Sequence, residues 1–199
     1  VTQHADATCV VGTGREPFPE EYLWWQGELL VSYLSPWILP RSLLRRATEA
    51  AVNFHPGPPE YPGIGCTNFA LYEGSSTYGV TCHHMAAAVD TGPICAVRRF
   101  PIFPTDTVWS LTHRASGYLL ALSYEIVAGL LQGEALPTSE ETWRRRPFTR
   151  AELHDLCRIT PEMEADEVRR RVRAVTFPGA PGAYVDVGGV RFEVREGAR

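Results

Sequence analysis

The sequence has no C-x-x-C pair, an odd number of cysteines and no long apolar run, and each lack removes a class of protein. Five cysteines without paired spacing argue against a disulfide framework and against a structural zinc site. A reducing compartment is the expectation. No apolar stretch approaches the roughly 20 residues that a membrane helix needs, and the N-terminus lacks the charged and then apolar segments of a signal peptide. The chain is therefore expected to be cytoplasmic. No stripe of basic residues recurs and the formal charge is only -4, so composition does not point to a nucleic-acid surface. The local clusters Arg144 to Arg146 and Arg169 to Arg173 read as solvated faces. What is present is 199 residues, 44% of them hydrophobic, enough for one substantial core with a small appendage.

Along the chain, ATCVVG (Ala7 to Gly12) reads as a buried parallel strand. ELLVSYLS (Glu28 to Ser35) reads as a second, and Pro40 opens a helical spacing over PRSLLRRATEA. AAVNFH is a third strand, CTNFALYEG a helix stopped at Gly74, and YGVTCHHM a fourth strand. Alternation in that strand places Val80, Cys82 and His84 on one face and Thr81 and His83 on the other. GPICAVRRFPI reads as an edge or antiparallel segment, and a long helix with Thr105 as its N-cap keeps an apolar stripe up to Gly133. Strands alternating with helices predict an α/β, three-layer, Rossmann-like domain with a mostly parallel sheet over residues 1–133. Residues 134–160, polar and broken by proline, read as a linker. Residues 161–199 form a small module: a short helix, then two alternating strands joined at Gly188 and Gly189.

The chemistry concentrates in NFHPGPPEYPGIG, from Asn53. Residues i and i+2 of a strand share a face, so Asn53 and His55 present an amide and an imidazole side by side at a strand's carboxyl end, where open α/β sheets bind ligands. Asp90, just after the fourth strand, can join them. An amide that polarises a carbonyl oxygen, an imidazole that donates or relays a proton and a carboxylate that orients it suit acyl transfer to an amine without a covalent enzyme intermediate. Cys66, Cys82, His83 and His84 invite a metal site. Successive strand residues point to opposite faces, however, so they do not ligate one ion and no metal is expected.

N-x-H-P, a loop rich in Pro and Gly, then G-V-T (Gly79 to Thr81) and D-T-G (Asp90 to Gly92), about forty residues in family-like order and spacing, resemble the folate-dependent formyltransferases. That group includes enzymes acting on methionyl-tRNA, glycinamide ribonucleotide and amino sugars, and SYLSPWILP resembles the strand and turn that precede its motif. The resemblance implies a catalytic trio of Asn53, His55 and Asp90 and 10-formyltetrahydrofolate as formyl donor. It also implies a pterin slot between Trp37, Ile38 and Leu39 on one side and Ala86, Ala87, Ala88, Val89 and Asp90 on the other. In this picture Asn53 and His55 face the formyl carbon.

The segment from Val168 to Val194 resembles the opening of the C-terminal barrel of the tRNA enzymes, without the rest of it. GPPE stands where those enzymes carry a Ser-Leu-Leu-Pro type segment, so a small or carrier-bound amine, an amino sugar or a biosynthetic amine, is the expected acceptor ahead of tRNA. The strand, loop and helix that open the family's fold are missing unless VTQHAD is their remnant, which predicts an open sheet edge and a homodimer. The alternatives are a methionyl-tRNA formyltransferase-like enzyme and a catalytically silent folate-binding or interaction module.

Overall fold

The computed structural model describes residues 6–14 and 16–194; most of VTQHAD lies outside them. Four strands form the main sheet: β1 (Gly27–Tyr33), β2 (Ala47–His55), β3 (Thr77–His84) and β4 (Ile94–Pro101), in the order β1-β2-β3-β4. β1 and β2 are parallel, whereas β2/β3 and β3/β4 are antiparallel. The sheet is thus mixed rather than mostly parallel. The connection from β2 to β3 contains only the short helix α2 (Cys66–Tyr72). At about 10 Å long, that helix does not return the chain along the roughly 30 Å of β2, as a parallel crossover requires.

Residues 7–12 form no strand, which corrects the reading of Ala7 to Gly12. Val11 is 87% exposed, so the run has the composition of a buried strand but pairs with none of the described strands. Gly12 instead packs on the Trp37 ring, with no room for a Cβ. The helix at Pro40 is shorter than its spacing suggests: α1 spans only Arg41–Leu44, anchored by the buried Leu43, before β2 begins at Ala47. β1 ends the sheet, and Val31, Tyr33 and Leu34 stay exposed there.

The long helix α3 (Val108–Leu131) is capped by Thr107, not Thr105. Asp106 accepts from Phe103 N–H at 2.7 Å, which keeps residues 103–106 in a turn. Thr107 and Ser110 then bond reciprocally at 3.0 and 3.1 Å. Leu111, Ala115, Leu119 and Leu122 of α3 share one core with Val52, Phe54, Val80 and Cys82 of the sheet. The opposite sheet face, with Asn53, His55, Thr81 and His83, is closed around these residues by irregular chain.

Part of that cover is the loop after His55. The rest is residues 134–149, which lack helix and strand but are tied across the loop: Arg144 N–H donates to Pro59 at 3.0 Å, Phe148 N–H to Pro62 at 2.9 Å and Ile64 N–H back to Phe148 at 3.1 Å. Helix α4 (Arg150–Cys157) follows, opened by a capping box of Thr149 and Glu152. Helix α5 (Ala165–Val175) and the hairpin β5 (Tyr184–Val187) and β6 (Val190–Glu193) follow. The hairpin turns on Gly188 and Gly189, both at positive φ (58° and 80°), as the two-glycine signal anticipates. Among the described residues no helix is long and apolar enough to cross a membrane.

Candidate active site

β2 carries Asn53 and His55 to its carboxyl end, and antiparallel pairing sets Asn53 opposite His83 and His55 opposite Thr81. Four polar side chains therefore share one patch of the sheet. Asp90 closes it from a turn in which its own φ is 47°, a left-handed value uncommon for a residue with a side chain. Its carboxylate lies between the two imidazoles: Oδ2 is 3.2 Å from His55 Nδ1 and Oδ1 is 3.3 Å from His83 Nε2. Gly63 N–H donates to Oδ2 at 2.8 Å. Asn53 does not touch Asp90 directly; its Nδ2 lies 3.1 Å from His83 Nε2, the same ring nitrogen that faces Asp90 Oδ1, so that nitrogen either accepts from the amide or donates to the carboxylate and does not do both. Asn53, His83, Asp90 and His55 thus lie side by side in that order as a polar chain of neighbours.

The loop rich in Pro and Gly folds back onto its own histidine. Tyr61 N–H donates to the Pro58 carbonyl at 2.8 Å, which turns the Tyr61 carbonyl to within 3.1 Å of His55 Nε2. This close return needs Gly57, where a Cβ would sit 2.7 Å from His55 Nε2 and 2.8 Å from the Tyr61 oxygen. His55 thus presents neither ring nitrogen outward, contrary to the expectation that it faces the formyl carbon. His55, His83 and Asp90 are 4%, 2% and 5% exposed, while Asn53 is half-buried and is the member of the set that opens outward.

Both His55 nitrogens face acceptors, which favours an imidazolium, but burial outweighs this. Burial holds the His55 pKa below its ordinary 6.5, against the upward pull of the Asp90 charge and the Tyr61 carbonyl, with His83 adding to the lowering. The single proton then belongs on Nδ1, facing the charged Asp90. Cys66 can complete the other side: burial pushes its thiol up to about 12, so it keeps its hydrogen, 3.6 Å from Nε2 and 3.3 Å from the Gly63 carbonyl. Burial alone would raise Asp90, but the His83 hydrogen bond, the attraction of His55 once acid protonates it and Gly63 N–H hold its carboxyl below the usual 3.8.

These directions set the acid stability. With its folded pKa lowered, His55 binds fewer protons folded than unfolded, so its contribution is full above about pH 6.5 and is lost as pH falls below that value. Asp90, also lowered, contributes above about pH 4 and loses that contribution as pH falls through its folded pKa. Urea midpoints measured against pH are expected to decline in these two stages, and His55→Gln should flatten the first. An unchanged first stage in that variant would contradict the assignment.

The segments expected to hold a pterin leave β1 and β3, the two neighbours of β2, and so lie on either side of Asn53 in sheet order. Ile38 is 75% exposed, and Ala86, Ala87, Ala88 and Val89 are exposed on the turn before Asp90. Leu39 is half-buried. Trp37 is engaged elsewhere: its indole N–H donates to the Glu16 carbonyl at 3.0 Å and its ring meets Phe18 edge-on. Apolar side chains beside accessible backbone fit the chemistry of a flat heteroaromatic ring.

Reading the sequence missed His83 and Trp143 as members of the site. The signal for His83 was its face in β3, which had meaning only once the register set it against Asn53. Trp143 contacts both imidazoles edge-on, with centroids 5.8 Å from His55 and 5.1 Å from His83.

Residues 24–118 match the family model for formyl transferase. The chain is 28% identical over 172 residues to GDP-perosamine N-formyltransferase of Brucella melitensis, covering 84% of this chain and 64% of that protein. It is 30% identical over 181 residues to methionyl-tRNA formyltransferase of Myxococcus xanthus, covering 89% and 56%. It thus spans less than two thirds of these curated relatives. A crystal structure of a sugar N-formyltransferase from Shewanella sp FDAARGOS_354 has the same fold, with a TM-score of 0.74 at 23% identity, covering 86% of this chain and 70% of that one.

Proposed function

We propose that this chain, a member of the formyl transferase family through residues 24–118, moves a formyl group from 10-formyltetrahydrofolate to a primary amine of a small or carrier-bound acceptor, an amino sugar in the first instance. The observation that carries the reading is the polar chain behind a half-buried Asn53: His83, then Asp90, then His55. The donor supplies an acyl carbon at the oxidation level of formate. Asn53 donates an amide hydrogen to the formyl oxygen as negative charge develops there, Asp90 accepts by way of water the proton shed by the attacking amine, and a proton passes to the folate nitrogen as its bond to the formyl carbon breaks. The buried His55, whose Nδ1 proton faces Asp90, keeps that carboxylate oriented. Ile38, Leu39 and Ala86 to Val89 are assigned to the pterin and Trp37 to the support behind it.

An amino sugar is favoured by the GDP-perosamine enzyme among the relatives. A tRNA acceptor is disfavoured by α5, where Arg169 pairs with Asp166 and Arg170 and Arg171 share Glu167, which offsets part of the positive charge a polyanion would meet. A homodimer remains part of the proposal and attaches to the exposed β1 edge; a monomer mass in solution scattering would contradict it. Calorimetric titration with a stable 10-formyltetrahydrofolate analogue, followed by a screen of amines, tests the reading. Binding with release of tetrahydrofolate in the presence of an amino sugar supports it. Binding without turnover of any amine turns the assignment to a silent folate-binding module.

A further inference from the structure

We propose that Trp143 is a positioning residue: the strap of residues 134–149 uses its indole to hold the Asp90 turn and both imidazoles in register. The indole N–H donates to the Gly92 carbonyl at 2.8 Å, two residues beyond Asp90. Its ring edge meets His55 and His83 almost at right angles, with interplanar angles of 78° and 87°. One side chain therefore touches the turn that carries the carboxylate and both groups that flank it.

The turn needs such a hold. Asp90 sits at φ 47°, and a side chain in that region keeps its place only where surrounding structure determines it. Gly92 lies so close to the His84 carbonyl that a Cβ has no room, and His84 N–H donates to the Pro93 carbonyl at 2.8 Å. These contacts fix the far side of the turn to β3. Trp143 fixes the near side.

The strap itself is fastened on both flanks of Trp143. Arg99 pairs with Glu60 of the loop at 3.1 Å and with Glu141 of the strap. Beyond the indole, Arg144 N–H bonds Pro59, Arg145 bonds Glu73 at 2.7 Å, and Phe148 stacks on Phe69 with centroids 3.7 Å apart. Trp143 therefore sits between two fastened stretches of the strap. Asp90, His83, the Cys66 thiol and the Tyr61 carbonyl are the other groups facing His55; Asn53, Asp90 and the His84 carbonyl face His83. The indole is the apolar member of this shell, and its removal admits water to both imidazoles.

The activity arm of the test rests on the formyl-transfer reading, whereas the titration arm does not. Trp143→Phe keeps an aromatic edge and loses the bond to Gly92; Trp143→Ala loses both. In the full chain, NMR titration of the His55 Cε1 proton is expected to show a raised midpoint in Trp143→Ala, because hydration relieves the burial that lowers it, and a smaller rise in Trp143→Phe. Formyl transfer should show kcat lower by about 10-fold in Trp143→Phe and about 100-fold in Trp143→Ala, with KM for the donor within about twofold, as displaced catalytic groups do. Should Trp143→Ala fail to fold, Trp143→Phe carries both readouts. A wild-type His55 titration and wild-type kcat in folded variants would overturn the proposal. If the parent chain transfers no formyl group but the His55 midpoint still moves, the proposed function fails and the positioning role of Trp143 stands.

Discussion

Asn53→Ala is expected to lower kcat for formyl transfer by about 10² to 10³-fold, with affinity for the folate donor nearly unchanged. The amide is half-buried at the end of β2, the one member of the polar chain that opens outward, while His55, His83 and Asp90 are almost sealed. A donor aimed at an oxygen that becomes negative only during reaction stabilises the transition state more than the bound substrate, so its loss appears in kcat rather than in binding. The fold should survive. The Asn53 amide nitrogen approaches a single side chain, His83, and its removal leaves that imidazole beside Asp90 and the His84 carbonyl. Single-turnover rates and calorimetric affinity for the donor, measured on the same samples, check the prediction; a rate within about twofold of the parent would remove Asn53 from the mechanism.

The second large effect is expected at Asp90. Asp90→Asn keeps the shape of the side chain but removes the charge between two imidazoles, and kcat for the proposed transfer should fall by about 10² to 10⁴-fold, the range for a group that takes a proton in the transition state, as proposed for Asp90. Stability should fall as well, on the order of 1–3 kcal/mol, because the bonds from His55 and His83 lose their charged acceptor in a buried place. There is a further mark with a definite sign. The Asp90 charge raises the His55 pKa against burial, so its removal should lower the His55 midpoint further. Trp143→Ala moves the same midpoint upward, so the two substitutions are told apart by direction. Urea unfolding and NMR titration read these effects without any acceptor, and a His55 midpoint that rises in Asp90→Asn would contradict the coupling described.

Much of the fold was legible where the signal is local. The apolar runs over β1, β2, β3 and β4, the stop at Gly74 and the hairpin glycines all depend on residues a few positions apart, and each stands close to where the pattern put it. The T-x-x-E box at Thr149 was equally readable and was overlooked inside a segment whose prolines and charges suggested a linker. The run from Ala7 to Gly12 shows the converse. Its composition suits a strand, but a strand exists only through a neighbour that pairs with it, and composition does not reveal the neighbour.

The same division runs through the site. Alternation in β2 determined that Asn53 and His55 share a face, since side-chain direction in a strand follows from backbone geometry alone, and the short motifs pointed to Asp90 as their neighbour. Only the tertiary structure decided how they are joined. The antiparallel register inserted His83 between Asn53 and Asp90, the glycine-rich return turned His55 inward onto the Tyr61 carbonyl, and Trp143, 51 residues from Gly92 in sequence, clamped the turn. Contacts of that kind depend on where distant segments come to rest. That is settled by burying the shared core and by satisfying buried polar groups across the whole chain, not by the pattern of any one stretch.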